Sequence, residues 1–442
     1  MEQQVSVVGG GLAGSECALQ LAKRGIRVRL FEQRPNHESP AHHTDKLAEL
    51  VCSNSLKSLR EESAAGMLKW ELAEAGSILL ELAHKTAVPA GGALAVDREQ
   101  FSQAVTQRVS EHPNIELIRA EVTDLPEGPT VIAAGPLCSE KLFSALSTQI
   151  GEGRSAFYDA AAPIVDAESL DHSVVFAQSR YEEGGGDYLN CPMNKEEYDA
   201  FYDALMGAKR VISHEFDQAD LFQACQPVEE VGRTGRDSLR FGALKPVGLT
   251  DPRSGKRPWA AVQLRAENRD LTAYNLVGFQ TNLTWGEQKR VFRMIPGLEN
   301  AEFFRYGVMH RNSFVDAPHV LDATFKIPGT NIRLAGQICG TEGYTEAIAS
   351  GYLAALNTFA ELEGREPVTL PKESVFGALV HYATDPNTVD YQPMHVNFGL
   401  MPPLENRSLK KKERYAAYAA RAQEATRQFI ASRPDLFEVG AD

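Results

Sequence analysis

A glycine-rich turn near the start of the chain has the spacing that holds the phosphates of a dinucleotide. Gly9, Gly11 and Gly14 form the pattern GxGxxG directly after the apolar run VSVV at residues 5–8. In such turns the first glycine permits a tight bend, the second lets a pyrophosphate approach the backbone, and the third lets the next helix pack closely. The start of that helix adds amide donors and the positive end of its dipole. We therefore predict cofactor contacts from Gly9, Gly10, Gly11, Leu12, Ala13 and Gly14.

Glu32 provides the acidic group that accompanies such a turn. It ends the strand-like segment VRLFE at residues 28–32, which follows a helical pattern at 15–24. A carboxylate in this place can accept hydrogen bonds from the ribose hydroxyls of adenosine. An S-adenosylmethionine site can have the same local pattern. The later segments TVIAAG (130–135) and LAGQICGTEGY (334–344) favour FAD, because an S-adenosylmethionine domain of ordinary size needs neither.

The segment at 334–344 predicts a second contact with the cofactor, at the flavin end. It has the composition of a strand, a glycine-rich turn and the start of a long helix at 344–362. Gly336 and Gly340 would let the backbone approach a flavin. Tyr344 would stack on the isoalloxazine or on folate, or would pack at the helix start.

Two cysteines have surroundings that suit a reactive thiolate, which is the nucleophilic form of cysteine. Cys52 lies in the polar segment VCSNSLKS with Lys57 nearby, and Cys225 precedes Arg233 and Arg236. Each could instead be a small buried residue. No second cysteine stands four residues from Cys52, so a pyridine-nucleotide disulfide reductase is not indicated. No group of His, Cys and Asp has the spacing of a metal site.

Basic residues in the middle of the chain could track an RNA backbone. The formal net charge is −14, so a nucleic-acid site has to be a local positive patch. Such a patch, or an ordinary solvated face of mixed charge, is predicted at Arg233, Arg236, Arg253, Lys256 and Arg257. His310 and Arg311 are candidates for contact with folate or with a flavin carbonyl, and the histidine could equally be a core residue.

The elements that position these residues indicate an α/β fold. At 442 residues the chain is long enough for two or three domains. We predict a Rossmann-like parallel-sheet FAD domain of the glutathione-reductase type, built from 1–150 and 300–368. An α+β domain for RNA or substrate would be inserted at 151–299, and 369–442 would form a tail with a terminal helix. Helical patterns also cover 63–83 and 98–109, the latter with Asp97 as its N-cap.

Long segments of the chain resemble the folate- and FAD-dependent tRNA (uracil-5-)-methyltransferase family. The resemblance covers almost the whole sequence and is far more specific than the glycine turn. It is carried by VVGGGLAGSE, VCSNSLKS, VIAAGPLCS, SRYEEGGGDYLNCPM, FGALKPVGLTDP, VQLRAEN, YNLVGFQTNL, EQKRVFRMIPGLE, RYGVMHRN and LAGQICGTEGYTEA. Around Cys225 the sequence departs from the family, which often has Gly before that cysteine and Met after it.

The resemblance implies an activity, its cofactors and the roles of two thiols. The one-carbon unit of 5,10-methylenetetrahydrofolate would become the methyl group of 5-methyluridine in the T-loop of tRNA. Reduced FAD would donate the hydride, and NAD(P)H would reduce the flavin. Cys225 would be the nucleophile that attacks uracil, and Cys52 would be its partner.

Three other functions are compatible with the same residues. The chemistry could act on ribosomal RNA, the chain could be a small-molecule flavin oxidoreductase, or it could bind flavin and RNA without catalysis. Six scattered cysteines, a start without a charged and apolar leader, and no bilayer-spanning apolar run predict a cytoplasmic protein with no membrane partner.

Overall fold

The computed structural model describes nine ranges of the chain. They are 4–37, 41–151, 154–160, 162–181, 186–211, 226–307, 309–388, 391–406 and 408–438. Residues 154–160 and 309–313 are described by their backbone. Within these ranges no helix combines the length and the apolar character needed to cross a membrane.

Sixteen strands occur in the described ranges. In chain order they are β1 (Gln4–Val8), β2 (Arg27–Glu32), β3 (Ser55–Ser58), β4 (Ala87–Val88), β5 (Ala93–Val96), β6 (Ile115–Arg119), β7 (Thr130–Ile132), β8 (Arg154–Ala160), β9 (Ile164–Asp166), β10 (Phe176–Ala177), β11 (Tyr188–Met193), β12 (Ala260–Ala266), β13 (Ala273–Leu276), β14 (Phe303–Arg305), β15 (Met309–Val315) and β16 (Ile332–Leu334). They form four sheets of five, six, three and two strands.

Fourteen α-helices occur in the same ranges. They are α1 (Leu12–Lys23), α2 (Ala64–Glu74), α3 (Ile78–Lys85), α4 (Arg98–Ser110), α5 (Glu140–Ile150), α6 (Lys195–Met206), α7 (Val228–Arg233), α8 (Ser238–Phe241), α9 (Trp285–Phe292), α10 (Ala317–Val320), α11 (Tyr344–Leu362), α12 (Val375–Thr384), α13 (Lys411–Ser432) and α14 (Pro434–Phe437). The predicted helix at 63–83 is wrong in one respect, because Gly76, with φ +77°, separates α2 from α3.

Four strands from the first part of the chain and β16 from its later part form a parallel sheet, which confirms the predicted Rossmann-like class. Its strand order is β16-β7-β1-β2-β6, and every neighbouring pair is parallel. Helix α1 connects β1 to β2, and α11 follows β16. The chain leaves β1 toward β2 on one side, while β7 lies on its other side. Ligands of open α/β sheets bind at the carboxyl edge of such a switch point.

The middle of the chain forms a second sheet. It has six strands in the order β10-β11-β12-β13-β9-β14, and its neighbouring pairs are antiparallel. Strands β8 and β15 pair antiparallel on either side of this part of the sequence. The second sheet has a buried core of its own, drawn from residues 162–301. The domain limits at 150, 300 and 368 stay a prediction.

The last helices pack on the core of the parallel-sheet part. Leu379 of α12, Ala422 of α13 and Leu436 of α14 are buried in that core. The buried carboxylate of Glu71 in α2 accepts hydrogen bonds from the first two amides of α12, at 2.6 and 3.1 Å. The C-terminal segment is therefore fastened to the body that contains the glycine turn.

Candidate functional site

One cavity of about 430 Å³ opens at the carboxyl edge of the parallel sheet. It is large enough for a cofactor-sized ligand. Residues that follow all five strands line it: 9–13 after β1, Gln33 and Arg34 after β2, Ala120 and Val122 after β6, 133–139 after β7, and Gly336 and Gln337 after β16. Cys52, Lys57, Arg265, Gln280 and Tyr344 also line it. The cavity thus begins at the glycine turn and extends to residues that the second sheet supplies.

The three glycines of the turn meet different surroundings. A β-carbon on Gly9, which has φ +106°, would lie 2.4 Å from the carbonyl oxygen of Ala133. A β-carbon on Gly14 would lie 1.8 Å from the carbonyl oxygen of Gly9. A β-carbon on Gly11 would meet no described atom within 4 Å. The turn is therefore closely packed at its first and third glycines and open at the second.

Two helices begin at this cavity without a side-chain cap. Gly11 is the N-cap of α1 and Gly343 is the N-cap of α11. The first amides of a helix need partners, and together with the helix dipole they favour an anion or a polar ligand group. The helices cross closely, because a β-carbon on Gly351 would lie 2.1 Å from the carbonyl oxygen of Ala13. This crossing fixes both N-termini relative to each other.

Glu32 supports the glycine turn directly. One carboxylate oxygen accepts a hydrogen bond from the Gly10 amide at 3.0 Å, and the other accepts from the amide and the Nε of Arg34, both at 3.0 Å. Burial alone would raise the pKa of Glu32, but the hydrogen bonds and charge of Arg34 outweigh it and the pKa is lowered. Glu32 is therefore an anion that ties the turn to β2.

The predicted flavin-end turn divides into residues that line the cavity and one that does not. Gly336 and Tyr344 line it, whereas Gly340 is absent from the lining. Gly340 has φ +85°, and a β-carbon there would lie 1.5 Å from the hydroxyl oxygen of Tyr391. The hydroxyl of Tyr344 accepts a hydrogen bond from the Cys52 amide at 2.8 Å. Tyr344 thus connects the start of α11 to the cysteine loop.

The Cys52 loop is held by arginines from distant parts of the chain. Arg98 of α4 donates to the carbonyl oxygens of Leu50 and Cys52, the latter at 2.9 Å. Arg305 of β14 donates to the carbonyl oxygen of Val51 at 2.8 Å. Arg265 of β12 lines the same cavity and is 7% exposed. Both sheets therefore contribute to the position of this cysteine.

These arginines give the loop a positive environment. Burial lowers the pKa of Arg265 and of Arg305. For Arg98 burial acts in the same direction, but the ion pair with Glu267 outweighs it and raises the pKa. The thiol of Cys52 interacts electrostatically with all three guanidinium groups. Nearby cations favour the thiolate form of a cysteine.

Sequence reasoning identified Lys57 as the cation near Cys52 and missed Arg98 and Arg305. Lys57 lines the cavity, and its Nζ lies 3.7 Å from the buried carboxylate of Glu346. Arg98 and Arg305 are 46 and 253 positions away in the chain. Their type alone did not distinguish them from the other arginines.

Cys225 lies outside the described residues. The described chain resumes just after it, and the amide of Val228 donates to the carbonyl oxygen of Gln280 at 2.7 Å. Gln280 lines the cavity. His310 and Arg311 belong to β15, where they pair in register with Asp159 and Tyr158 of β8.

The predicted basic patch is partly neutralised by acids, and its members do not line the cavity. Arg236 pairs with Asp199 at 3.0 Å and with Asp203 at 2.8 Å, and Arg253 pairs with Asp251 at 3.1 Å. Arg233 lies 3.4 Å from Glu230. Lys256 and Arg257 are exposed.

Comparison with known sequences gives matches along almost the entire chain. Residues 4–366 match the family model described as glucose inhibited division protein A. A Bacillus cereus protein named methylenetetrahydrofolate–tRNA-(uracil-5-)-methyltransferase TrmFO is 51% identical over 429 residues, covering 97% of this chain and 99% of the relative. A Bacillus licheniformis protein of the same name is also 51% identical, with the same coverage.

Comparison with solved structures supports the fold. Two crystal forms of Aquifex aeolicus GidA superpose with TM-scores of 0.69 and 0.70 at 16% and 17% identity. They cover 99% and 100% of this chain, and 76% and 78% of the GidA chain.

Proposed function

Because the chain belongs to the glucose inhibited division protein A family and matches its TrmFO members over nearly its full length, we propose that it is a folate-dependent tRNA (uracil-5-)-methyltransferase. The substrate is a uridine in the T-loop of tRNA, and the product is 5-methyluridine. The carbon comes from 5,10-methylenetetrahydrofolate, and NAD(P)H is the reductant. The observation that carries the proposal is the single cavity that joins the dinucleotide-type turn to Cys52.

The residues around this cavity fit FAD. The open space at Gly11 leaves room for a pyrophosphate beside the uncapped start of α1. Glu32 would bind the ribose of the adenosine half, and Gly336 with the start of α11 would hold the flavin half. Gly340, which does not line the cavity, would contribute by allowing the turn that positions the start of α11 beside the flavin half. When bound and reduced, FAD supplies the hydride that completes the methyl group.

Two thiols and their surroundings would act on the uracil ring. Carbon 5 of uracil is a poor nucleophile until a thiolate adds to carbon 6, and we assign this addition to Cys225. Once carbon 5 has bonded to the one-carbon unit, its proton is removed and the bond from that unit to its carrier breaks, which leaves an exocyclic methylene on carbon 5. Hydride addition to this methylene forms the methyl group and expels the sulfur from carbon 6. We assign Cys52 to the proton transfer at carbon 5. The guanidinium groups of Arg98, Arg265 and Arg305 would hold this second thiol as an anion.

The remaining predicted residues are assigned to binding. Arg233, Arg236, Arg253, Lys256 and Arg257 would lie toward the RNA backbone, and exposed Lys256 and Arg257 are the members best placed to give phosphate contacts. His310 and Arg311 would contact folate or flavin.

Trapping with a modified RNA tests the role of Cys225. A T-arm RNA with 5-fluorouridine at the target position has no proton to lose at carbon 5, so the bond between protein and base persists. Wild-type protein incubated with this RNA, methylenetetrahydrofolate and reductant is expected to give a complex that survives denaturing electrophoresis. Cys225→Ala is expected to give none.

Cys138→Ala is the matched control, because Cys138 also lines the cavity but has no role in this proposal. It should trap as well as the wild type. An undiminished covalent complex with Cys225→Ala would refute the assignment of the nucleophile.

A further inference from the structure

Three aromatic rings stack near the Cys52 loop. The ring centroids of Trp285 and Tyr306 are 5.7 Å apart with an angle of 15° between planes. Those of Tyr306 and Phe303 are 5.1 Å apart with an angle of 18°. We call this set the aromatic stack. Trp285 is the first residue of α9, whereas the other two lie in and after β14.

The aromatic stack is held in a fixed geometry. Gln288 of α9 is fully buried, and its side-chain amide donates to the carbonyl oxygens of Leu283 and Gly307 at 2.8 and 2.9 Å. Its side-chain oxygen accepts from the Gly307 amide at 2.8 Å. These bonds join the start of α9 to the residue that follows Tyr306. A surface prepared in this way loses little conformational freedom when a ligand binds.

Trp285 is unusually exposed for a tryptophan in such a rigid place. Its surface is 62% exposed, although large aromatic side chains are mostly buried. Lys289 and Arg290, one turn later on α9, are exposed, and Arg290 pairs with Glu287. Lys209 is also exposed, and its carbonyl oxygen accepts a hydrogen bond from the amide of Thr284, the residue before Trp285. A flat, exposed aromatic face therefore lies on a segment that also presents exposed basic residues, one of which, Arg290, is paired with Glu287.

The same segments reach the cavity. Arg305, the residue before Tyr306, donates to the carbonyl oxygen of Val51 beside Cys52 at 2.8 Å. Gln280, which lines the cavity, lies five residues before Trp285. A ligand bound on the aromatic stack would thus lie on the elements that form the edge of the catalytic site.

We propose that Trp285 stacks on an unpaired nucleobase of the RNA substrate, close to the target uridine. This inference rests on the proposed function. A base needs only a flat ring to stack on, and aromatic residues flanked by cations are the surfaces that bind single-stranded or loop RNA. Tyr306 and Phe303 support the indole from behind, and the lysines attract the backbone. An RNA loop with a base turned out of its stack presents both a free base for the aromatic face and a negatively charged backbone for the lysines.

Binding of a T-arm stem-loop to the flavin-loaded protein tests this inference. The RNA carries a fluorophore on its stem end, and affinity is measured by anisotropy. Trp285→Ala is expected to bind roughly 5- to 100-fold more weakly, as base–aromatic stacking predicts. Trp285→Phe is expected to restore most of the affinity. The factor lost in Trp285→Ala should stay the same as salt rises, because stacking releases no counterions.

Phe304→Ala is the matched control. Phe304 is 63% exposed and is the neighbour of Phe303 on β14, so it points to the opposite face of the strand. This variant should bind like the wild type, and all variants should keep their flavin and melting temperature.

Two results would overturn the inference alone. One is wild-type protein that binds the RNA while Trp285→Ala binds it equally well. The other is a Trp285→Ala variant that binds RNA normally but separates a dimer into monomers, which would assign the exposed ring to a contact between copies. Wild-type protein that does not bind the stem-loop would overturn this inference and the proposed function together.

Discussion

Gly9 and Gly14 occupy positions where a β-carbon would overlap backbone atoms of the turn and its neighbour, whereas Gly11 faces open space. The same residue type thus serves the fold at two positions and leaves room for a ligand at the third. Glu32 has both roles in the account, since it accepts a hydrogen bond from the Gly10 amide and is the residue proposed to bind the adenosine ribose. Replacing one glycine at a time by alanine, which adds a single methyl group, distinguishes a glycine needed for the fold from one that leaves room for the ligand.

Gly11→Ala and Gly14→Ala are expected to fail in different ways. Gly11 has φ −75°, so alanine is not strained there and the free protein should keep its melting temperature. Its methyl group would occupy the space for the pyrophosphate, and FAD affinity should fall at least tenfold. In Gly14→Ala the β-carbon would clash with the Gly9 carbonyl oxygen, and overpacking of this kind costs about 1–3 kcal/mol.

Flavin titration and thermal unfolding of the apoprotein separate the two outcomes. Gly286→Ala is a control, because that glycine lies in α9 and has no atom near the added methyl group. It should stabilise the protein by up to about 1 kcal/mol through helix propensity. Full FAD affinity in Gly11→Ala would contradict the placement of the pyrophosphate.

Single residues could be predicted from sequence where a short pattern specifies them. The glycine turn and Glu32 follow from spacing within one βαβ unit. The partners of Cys52 could not be found in this way. Arg98 and Arg305 reach the Cys52 loop because of chain folding over long distances, and a single sequence does not show which arginines contact a given loop.

At the scale of elements, the prediction succeeded where a helix or strand has local signals. Helix α11 runs from Tyr344 to Leu362 as expected, and Asp97 caps α4 by accepting from the Gln100 amide at 3.0 Å. The separation of α2 from α3 was missed, because both halves are rich in Ala, Leu and Glu and the break depends on Gly76. The pairing of β8 with β15 was also beyond a local pattern, since the strands are about 150 residues apart.

The attachment of α12 to α2 predicts a pH dependence of stability. Burial raises the pKa of Glu71 to about 7, although the hydrogen bonds that it accepts from two amides of α12 act to lower the pKa. Between 4.5, the ordinary value, and about 7, the folded protein therefore binds more protons than the unfolded chain. The contribution of Glu71 to the free energy of unfolding therefore falls as pH rises through this window, by at most about 1.4 kcal/mol per pH unit.

Glu71→Gln removes this contribution, so its melting temperature relative to that of the wild type should rise between pH 5 and pH 8. Glu74→Gln is the control, because Glu74 is exposed on the same helix. Scanning calorimetry at several pH values measures both slopes. Equal slopes for wild type and Glu71→Gln would show that Glu71 is not the titrating group.

At the scale of the whole molecule, the Cys52 loop lies where the two main sheets meet. Arg98 of the first part pairs with Glu267, just after β12, at 2.6 Å. Asn54 donates to the carbonyl oxygen of Ala266 at 2.9 Å and accepts from Nε of Arg265 at 2.8 Å. The cavity is therefore complete only when both sheets are in place. No local pattern predicts this arrangement, although the family resemblance implies that both parts serve one site.

Glu267→Ala is expected to lower both the stability of the protein and its methyl-transfer activity. It leaves the guanidinium of Arg98, whose side chain is 16% exposed, without its ion-pair partner, and breaking a buried pair costs up to roughly 3–5 kcal/mol. Methyl transfer should fall as well, since Arg98 holds the Cys52 carbonyl. Denaturant unfolding measures the stability. Glu287→Ala, which breaks the more exposed pair with Arg290, should cost less than about 1 kcal/mol, and an equally small loss in Glu267→Ala would argue against the role of this contact.

Transfer of labelled carbon tests the central claim most directly. Flavin-loaded protein is incubated with T-arm RNA, methylenetetrahydrofolate labelled in its one-carbon unit, and NAD(P)H, and the nucleosides are then separated. We predict label in the methyl group of 5-methyluridine with the wild type, and none with Cys225→Ala or with oxidised flavin and no reductant. Protein that carries reduced flavin and binds the RNA, yet transfers no label to uridine, would contradict the account.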